Sequence, residues 1–336
     1  MSEIVKPPGP PAFDLKVIQD GYRWWYLDAV SDDGRHALVI IAFVGSVFSP
    51  YYYRARQKGR GVPENFCAIN VALYGNSGQR WALTERGSAS LSRTRDRLTI
   101  GPSEMTWDGR SLTVAVDEWG VPVPRRLRGT IRLYPSTFTD RAYALDRAGG
   151  HSWWPIAPCS RIEVDMRQPG LCWQGDAYLD ANWGAEPLES RFVRWDWSRA
   201  ILDDGSCAVL YNRLERGQPM QSLGLRIAQS GTVRAFEPPV DSRLPKTRIW
   251  QIRRGTQAEP GFTPQVCETL EDTPFYARSI IDTRLFGQRL TAMHESLSLT
   301  RFSRPWVQAL LPFRMPRFAG RACRTPARAI ETGRGD

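Results

Sequence analysis

An all-β fold of two tandem barrel-like domains is predicted for this chain by three observations. Short runs of alternating polarity recur between clusters of Gly, Pro and Asp, and long amphipathic helical patterns are nearly absent. A segment starting at Arg23, RWWYLDAVSDDGRHA, matches RWDWSRAILDDGSCA, starting at Arg194, at seven of fifteen positions. The 336 residues exceed the usual domain size of about 100 to 200, and 42% hydrophobic with 24% charged residues is ordinary for a soluble folded protein.

Taken in order, the N-terminal MSEIVKPPGPPAF lacks the basic, apolar and small-residue succession of a secretory signal, so a cytoplasmic location is expected. The first repeat copy reads as an aromatic strand, an Asp32-Asp33-Gly34 turn and an apolar strand, with glycine supplying positive φ. The apolar run Ala37–Phe48 is too short for the roughly 20 residues of a spanning helix, and Gly45 and Ser46 interrupt it; a buried strand fits. In Ser160–Met166, Ile162, Val164 and Met166 share one face of a strand and Arg161, Glu163 and Asp165 the other. The same alternation predicts a strand over Arg248–Arg253. The second hairpin copy, with Asp203-Asp204-Gly205 at its turn, follows the first at an offset of 171 residues. Two copies imply two similar β domains and not a long array. Closing each sheet into a barrel would remove exposed edges and can enclose a ligand cavity. The expected boundaries are 10–157 and 158–318 for the domains and 319–336 for a basic, disordered tail.

The formal net charge is +10, and Arg314, Arg317, Arg321, Arg324, Arg328 and Arg334 crowd the last twenty-three residues. Such a tail suits an anionic membrane surface or nucleic acid, or is simply a solvated end. Six cysteines, Cys67, Cys159, Cys172, Cys207, Cys267 and Cys323, show no CxxC spacing, and reduced, buried thiols are expected. His36, His151 and His294 are far apart with no HxxxH or HExxH pattern, so no metal is expected. YGNSGQR has neither dinucleotide nor Walker spacing, and no serine nucleophile elbow occurs. Glu186 and Glu189 near Asp180 suggest a glycosidase carboxylate pair, but nothing fixes their separation, and this reading is disfavoured.

Chemistry concentrates between Gly149 and Ala200, which holds six of thirteen tryptophans and one of three histidines. His151 and Trp153 are two apart, as are Tyr178 and Asp180, so each pair shares a strand face. Burial beside Tyr178, Trp173 and Trp183 would raise the Asp180 pKa and keep the acid neutral, able to donate a proton. Ring faces stabilise a developing carbocation by about 0.5–2 kcal/mol without offering a nucleophile. The competing readings are a hydrogen-bonded core histidine, an aspartate that caps a turn or pairs an arginine, and tryptophans that merely fill barrel cores.

GGHSWWP, YLDANWGAEPLE and RWDWSRA, with FDLKVIQDGYRWWYLDAVSDDG, PENFCAINVALYG, EDTPFYARS and MHESLSL, resemble the carotenoid 1,2-hydratases, or hydroxyneurosporene synthases, over residues 8–318. The resemblance implies two tandem lipocalin-like (calycin) β-barrel domains and a cofactor-free hydro-lyase of phototrophic bacteria. Its substrates would be an acyclic carotenoid such as neurosporene or lycopene, and water. It carries over the set His151, Trp153, Tyr178 and Asp180 as HxW and YxD positions. Asp180 would protonate the terminal C1=C2 bond at C2 and water would capture the cation at C1. Trp153 and Tyr178 would shield that cation, and His151 would orient Asp180 or the water. Trp173 and Trp183 are expected in the substrate pocket, Trp195 and Trp197 in the barrel wall. An insoluble substrate and a basic tail favour peripheral contact with the inner or photosynthetic membrane over nucleic-acid binding. Two other classes stay open: a non-catalytic isoprenoid carrier, and a lipocalin-like terpenoid cyclase in which an internal double bond captures the cation.

Overall fold

The computed structural model describes residues 3–75 and 79–318. Numbering only the longer strands, the first sheet contains β1 Tyr22–Ser31, β2 His36–Val44, β3 Cys67–Gly75, β4 Leu112–Trp119, β5 Arg126–Pro135, β6 His151–Gln168 and β7 Leu171–Gly184. The second contains β8 Phe192–Ile201, β9 Cys207–Glu215, β10 Gln221–Ile227, β11 Gln265–Asp272, β12 Tyr276–Leu285 and β13 Gln288–Ser298. The orders are β3-β2-β1-β7-β6-β5-β4 and β10-β9-β8-β13-β12-β11, with antiparallel neighbours throughout. In both sheets the opening strand of the hairpin lies between its partner and the last strand. The two halves thus share connectivity as well as the hairpin repeat, and Gly34 and Gly205 take the expected positive φ at the equivalent turns. The all-β class is realised in full.

Three details differ from expectation. The boundary expected between residues 157 and 158 falls inside β6, because β6 and β7 pair with each other and β7 with β1; the change of sheet comes after Gly184. Arg248–Arg253 is a turn and not a strand: the Asp272 carboxylate accepts the backbone N–H groups of Ile249 and Trp250, and Gln251 is left-handed. Of the cysteines, Cys67, Cys159 and Cys207 are buried, but Cys172 and Cys267 are exposed because the period of two turns them to the outer face; Cys323 and the whole of the expected basic tail, residues 319–336, lie outside the described residues.

The first sheet wraps around one apolar core containing Trp25, Leu27, Leu38, Ile40, Ile131 and Val164. Its interior is filled by side chains. A second core lies on the opposite face of the same strands, between the two sheets, and includes Trp24, Tyr26, Tyr178, Trp195, Trp197 and Tyr211. There the repeat copies meet in register. Trp24 packs on its counterpart Trp195 at 6.5 Å, Tyr26 on Trp197 at 5.5 Å, and the buried Asp28 carboxylate pairs with the Arg199 guanidinium, each pair being 171 residues apart. The segment that repeats is therefore the one that joins the halves, as expected for two copies facing each other across an approximate twofold axis.

Candidate active site

The change in burial along β7 shows where the second sheet covers the first. Cys172 and Gln174 on the even-numbered face are exposed, whereas Tyr178, Asp180 and Asn182 on the same face are buried. β7 lies between β1 and β6, with Asp180 directly opposite Tyr26 and Asn182 opposite both Trp24 and Trp153. Trp153 thus sits diagonally across from Asp180, close enough for its long side chain to reach it.

Asp180 Oδ2 accepts two hydrogen bonds, from Trp153 Nε1 at 2.8 Å and from the Tyr178 hydroxyl at 3.0 Å. Oδ1 is buried with no partner among the described residues. Burial drives the Asp180 pKa well above the ordinary aspartate range; the two donors oppose this only in part, and Glu295 and Asp28 add to it. Burial thus favours the neutral acid, whose proton would sit on Oδ1, because Oδ2 is already occupied as acceptor.

Rings enclose this acid. Tyr178 meets Trp197 at 5.2 Å and Tyr26 at 6.3 Å, and Trp153 meets Tyr211 at 5.2 Å and Tyr143 at 5.8 Å. A cavity of about 400 Å³ opens between the sheets, lined by Trp24, Tyr26, Phe43, Trp195, Tyr276 and Glu295 among others. Asp180 does not line it. Tyr26 and Trp195 stand between, the first packed on Tyr178 and the second on Tyr211 at 6.1 Å.

His151 is not brought to Asp180. Its Nδ1 is 2.8 Å from the Tyr22 hydroxyl and its backbone N–H donates to Asp146 Oδ1 at 2.8 Å, while the Tyr22 ring stacks on cavity-lining Trp24 at 4.9 Å. Burial pushes the imidazole pKa down to about 4, against the pull of Asp146 and Glu186, so the ring is neutral above that value. Trp173 and Trp183 are also elsewhere. Their odd positions place them on the opposite face of β7, where Trp173 stacks on His36 and Trp183 lies under the Arg23 guanidinium. Glu186 and Glu189 are engaged by Arg191 and Arg56.

Asp180 is thus an enclosed carboxyl set behind the aromatic wall of an apolar cavity, and residues 40–324 match the family model described as carotenoid hydratase CrtC. The chain belongs to the carotenoid hydratase family. It is 55% identical to an acyclic carotenoid 1,2-hydratase from Thiocapsa roseopersicina, over 94% of this chain and 77% of that one. It is 49% identical to one from Rubrivivax gelatinosus, over 93% and 77%. A crystal structure of an AttH protein from Nitrosomonas europaea shares the fold, with a TM-score of 0.56 at 16% identity over 88% of this chain and 99% of that one. The hydratase is accordingly a hydro-lyase.

Sequence reasoning missed several groups of this candidate site. Trp195, expected as barrel wall, lines the cavity together with Trp24 and Tyr26, and Trp197, also expected there, packs on both Tyr26 and Tyr178. Glu271, Arg278 and Glu295 line the cavity as well. The signal was present in the repeat and in the EDTPFYARS and MHESLSL segments, which carry these three residues.

Proposed function

We propose that this hydratase adds water across the terminal C1=C2 bond of an acyclic carotenoid, with Asp180 as the proton donor. The observation that carries the reading is a buried carboxyl held on Oδ2 by two donors, with Oδ1 unpartnered among the described residues and so able to carry a proton. Transfer of that proton to C2 leaves a tertiary cation at C1. The Tyr26 and Trp195 rings on the cavity wall, backed by Tyr178 and Trp197, surround it with π surface, and both tyrosine hydroxyls are engaged as donors, so it survives long enough for water to add at C1. As Asp180 gives up its proton, Trp153 and Tyr178 become charge-assisted donors to the new carboxylate, stabilising the transition state more than the ground state. A cavity of this size lies at the lower end of small-molecule pockets and takes one end of a long polyene.

Turnover of neurosporene or lycopene in detergent and heavy-oxygen water tests the reading. The expected product is a tertiary alcohol carrying the label. An unlabelled isomer of unchanged mass would establish a cyclase or isomerase, and stoichiometric binding without product a carrier.

His151 acts through the Tyr22–Trp24 stack, fixing the cavity wall, and stays neutral during the reaction. Its replacement by Gln is expected to lower the rate without changing the shape of the pH profile between about pH 5 and 8. Loss of a limb of that profile in the variant would show that the imidazole titrates and transfers protons.

The substrate must be collected from an apolar phase, and the cavity mouth suits a membrane surface. Phe313, 74% exposed, and Leu310 line the cavity, as does Trp250, which stacks on half-exposed Trp306; neighbouring Ile249 is 73% exposed. Arg248, Arg253, Arg301, Arg304 and Arg314 lie in the same segments. Apolar insertion combined with arginines at about 1 kcal/mol each near anionic headgroups supports peripheral binding. Among the described residues no helix is long and apolar enough to cross a membrane. Ile249→Ser with Trp306→Ser, both outside the cavity lining, is expected to reduce flotation with anionic liposomes while detergent turnover persists. Flotation indifferent to these changes and to removal of residues 319–336 would rule this surface out.

A further inference from the structure

We propose that Glu295 holds the attacking water and takes its proton, a role that rests on the hydratase reading above. Glu295 lies on β13, opposite Trp197 of β8 and Arg278 of β12, and lines the cavity. Its Oε1 accepts the Tyr26 hydroxyl at 2.8 Å and Arg278 Nε at 2.9 Å. Arg278 is itself anchored through Nη1 to the Tyr74 hydroxyl at 2.6 Å. The Tyr26 hydroxyl and Arg278 Nε both bind Oε1 and leave Oε2 to the cavity side, where the buried Tyr276 hydroxyl, which lines the same cavity, interacts with the Glu295 side chain.

An apolar cavity retains a water only where about two to four polar groups converge on it. Glu295 Oε2 and the Tyr276 hydroxyl form such a pair within an otherwise aromatic enclosure. Across the Tyr26 ring from Glu295 lies Tyr178, the donor to Asp180. The acid and the carboxylate thus lie on either side of the Tyr26–Tyr178 pair, close enough for Glu295 to act on Asp180.

The proposal assigns every atom. The Asp180 proton forms the new C–H bond at C2, the water oxygen bonds to C1, and the water proton passes to Glu295 Oε2. Asp180 ends as carboxylate and Glu295 as acid, and proton transfer from the second to the first by way of solvent restores both. The carotenoid gains one hydrogen and one hydroxyl, and nothing is oxidised or reduced. General-base assistance of this kind is worth about 10²- to 10⁴-fold. Arg278 and Tyr26 bind Oε1 and so leave Oε2 to the water.

The test separates protonation from water capture. In deuterated water, reversible protonation places deuterium at C2 of recovered lycopene whether or not water adds. Glu295→Gln is expected to lower hydration by at least about tenfold while exchange persists, so that the exchange-to-hydration ratio rises. Hydration at the wild-type rate, or equal loss of both readouts in a protein folded by circular dichroism, would overturn the proposal. If Glu295→Gln does not fold, Tyr26→Phe removes one donor to the carboxylate and is expected to raise the same ratio; an unchanged ratio overturns the proposal equally. Wild-type protein that neither hydrates nor exchanges would instead refute the hydratase reading on which this rests.

Discussion

Asp180→Asn is expected to lower hydration by about 10²- to 10⁴-fold, with carotenoid binding and fold retained. The amide is nearly isosteric with a neutral carboxylic acid: its oxygen still accepts from Trp153 Nε1 and the Tyr178 hydroxyl, and its NH₂ replaces the protonated Oδ1. What it lacks is a proton to give. Wild-type activity should be full while Asp180 is protonated and fall as pH rises through its raised pKa, set by burial first. Stability follows the same sign. A carboxyl whose folded pKa exceeds its unfolded value contributes stability present below the unfolded value and lost as pH climbs through the folded one. Asp180→Asn should remove this contribution to the alkaline decline in stability, measured by denaturant unfolding at pH 5 and 9. A variant that hydrates at wild-type rate would show that another group supplies the proton.

Asp28→Ala is expected to destabilise the protein by about 3–5 kcal/mol, since it leaves the buried Arg199 guanidinium without its partner. The loss should appear as a lower denaturant midpoint, with loosened packing between the sheets and a fall in turnover, because Tyr178 lies directly opposite Asp28. The repeat makes a sharper prediction. Asp28 and Arg199 occupy equivalent positions of two hairpins facing each other in register, so exchanging them, Asp28→Arg with Arg199→Asp, should recover part of the stability lost in either single variant. Additive losses in the double variant would contradict the paired-interface account.

Much of this was legible because strands advertise their period. Ile162, Val164 and Met166 are buried and Arg161, Glu163 and Asp165 exposed, as alternation requires. Both Asp-Asp-Gly turns could be read for the same local reason. Parity also explains why Tyr178 and Asp180 share a face, and it should have removed Trp173 and Trp183 from the pocket, since odd and even positions of one strand point apart. The placement of His151 failed for a different reason: sharing a face with Trp153 does not bring it level with Asp180, and β6 sets it opposite Gly184. Arg248–Arg253 alternates like a strand, yet the Asp272 carboxylate, 23 and 22 residues beyond the two N–H groups it binds, fixes it as a turn. The repeat and the MHESLSL segment single out Trp197 and Glu295, but what these residues touch depends on how the two sheets meet, which no local alternation encodes.

The central claim is that Asp180 is a neutral acid in the resting protein. Infrared difference spectroscopy of wild type against Asp180→Asn at neutral pH tests it most directly, because a protonated carboxyl and a carboxylate absorb in separate regions. The account predicts a protonated-carboxyl carbonyl band in the wild type that shifts in deuterated water and is missing from the variant. Loss of carboxylate bands in its place would mean that Asp180 is ionised, and the proton-donor mechanism would fall with it.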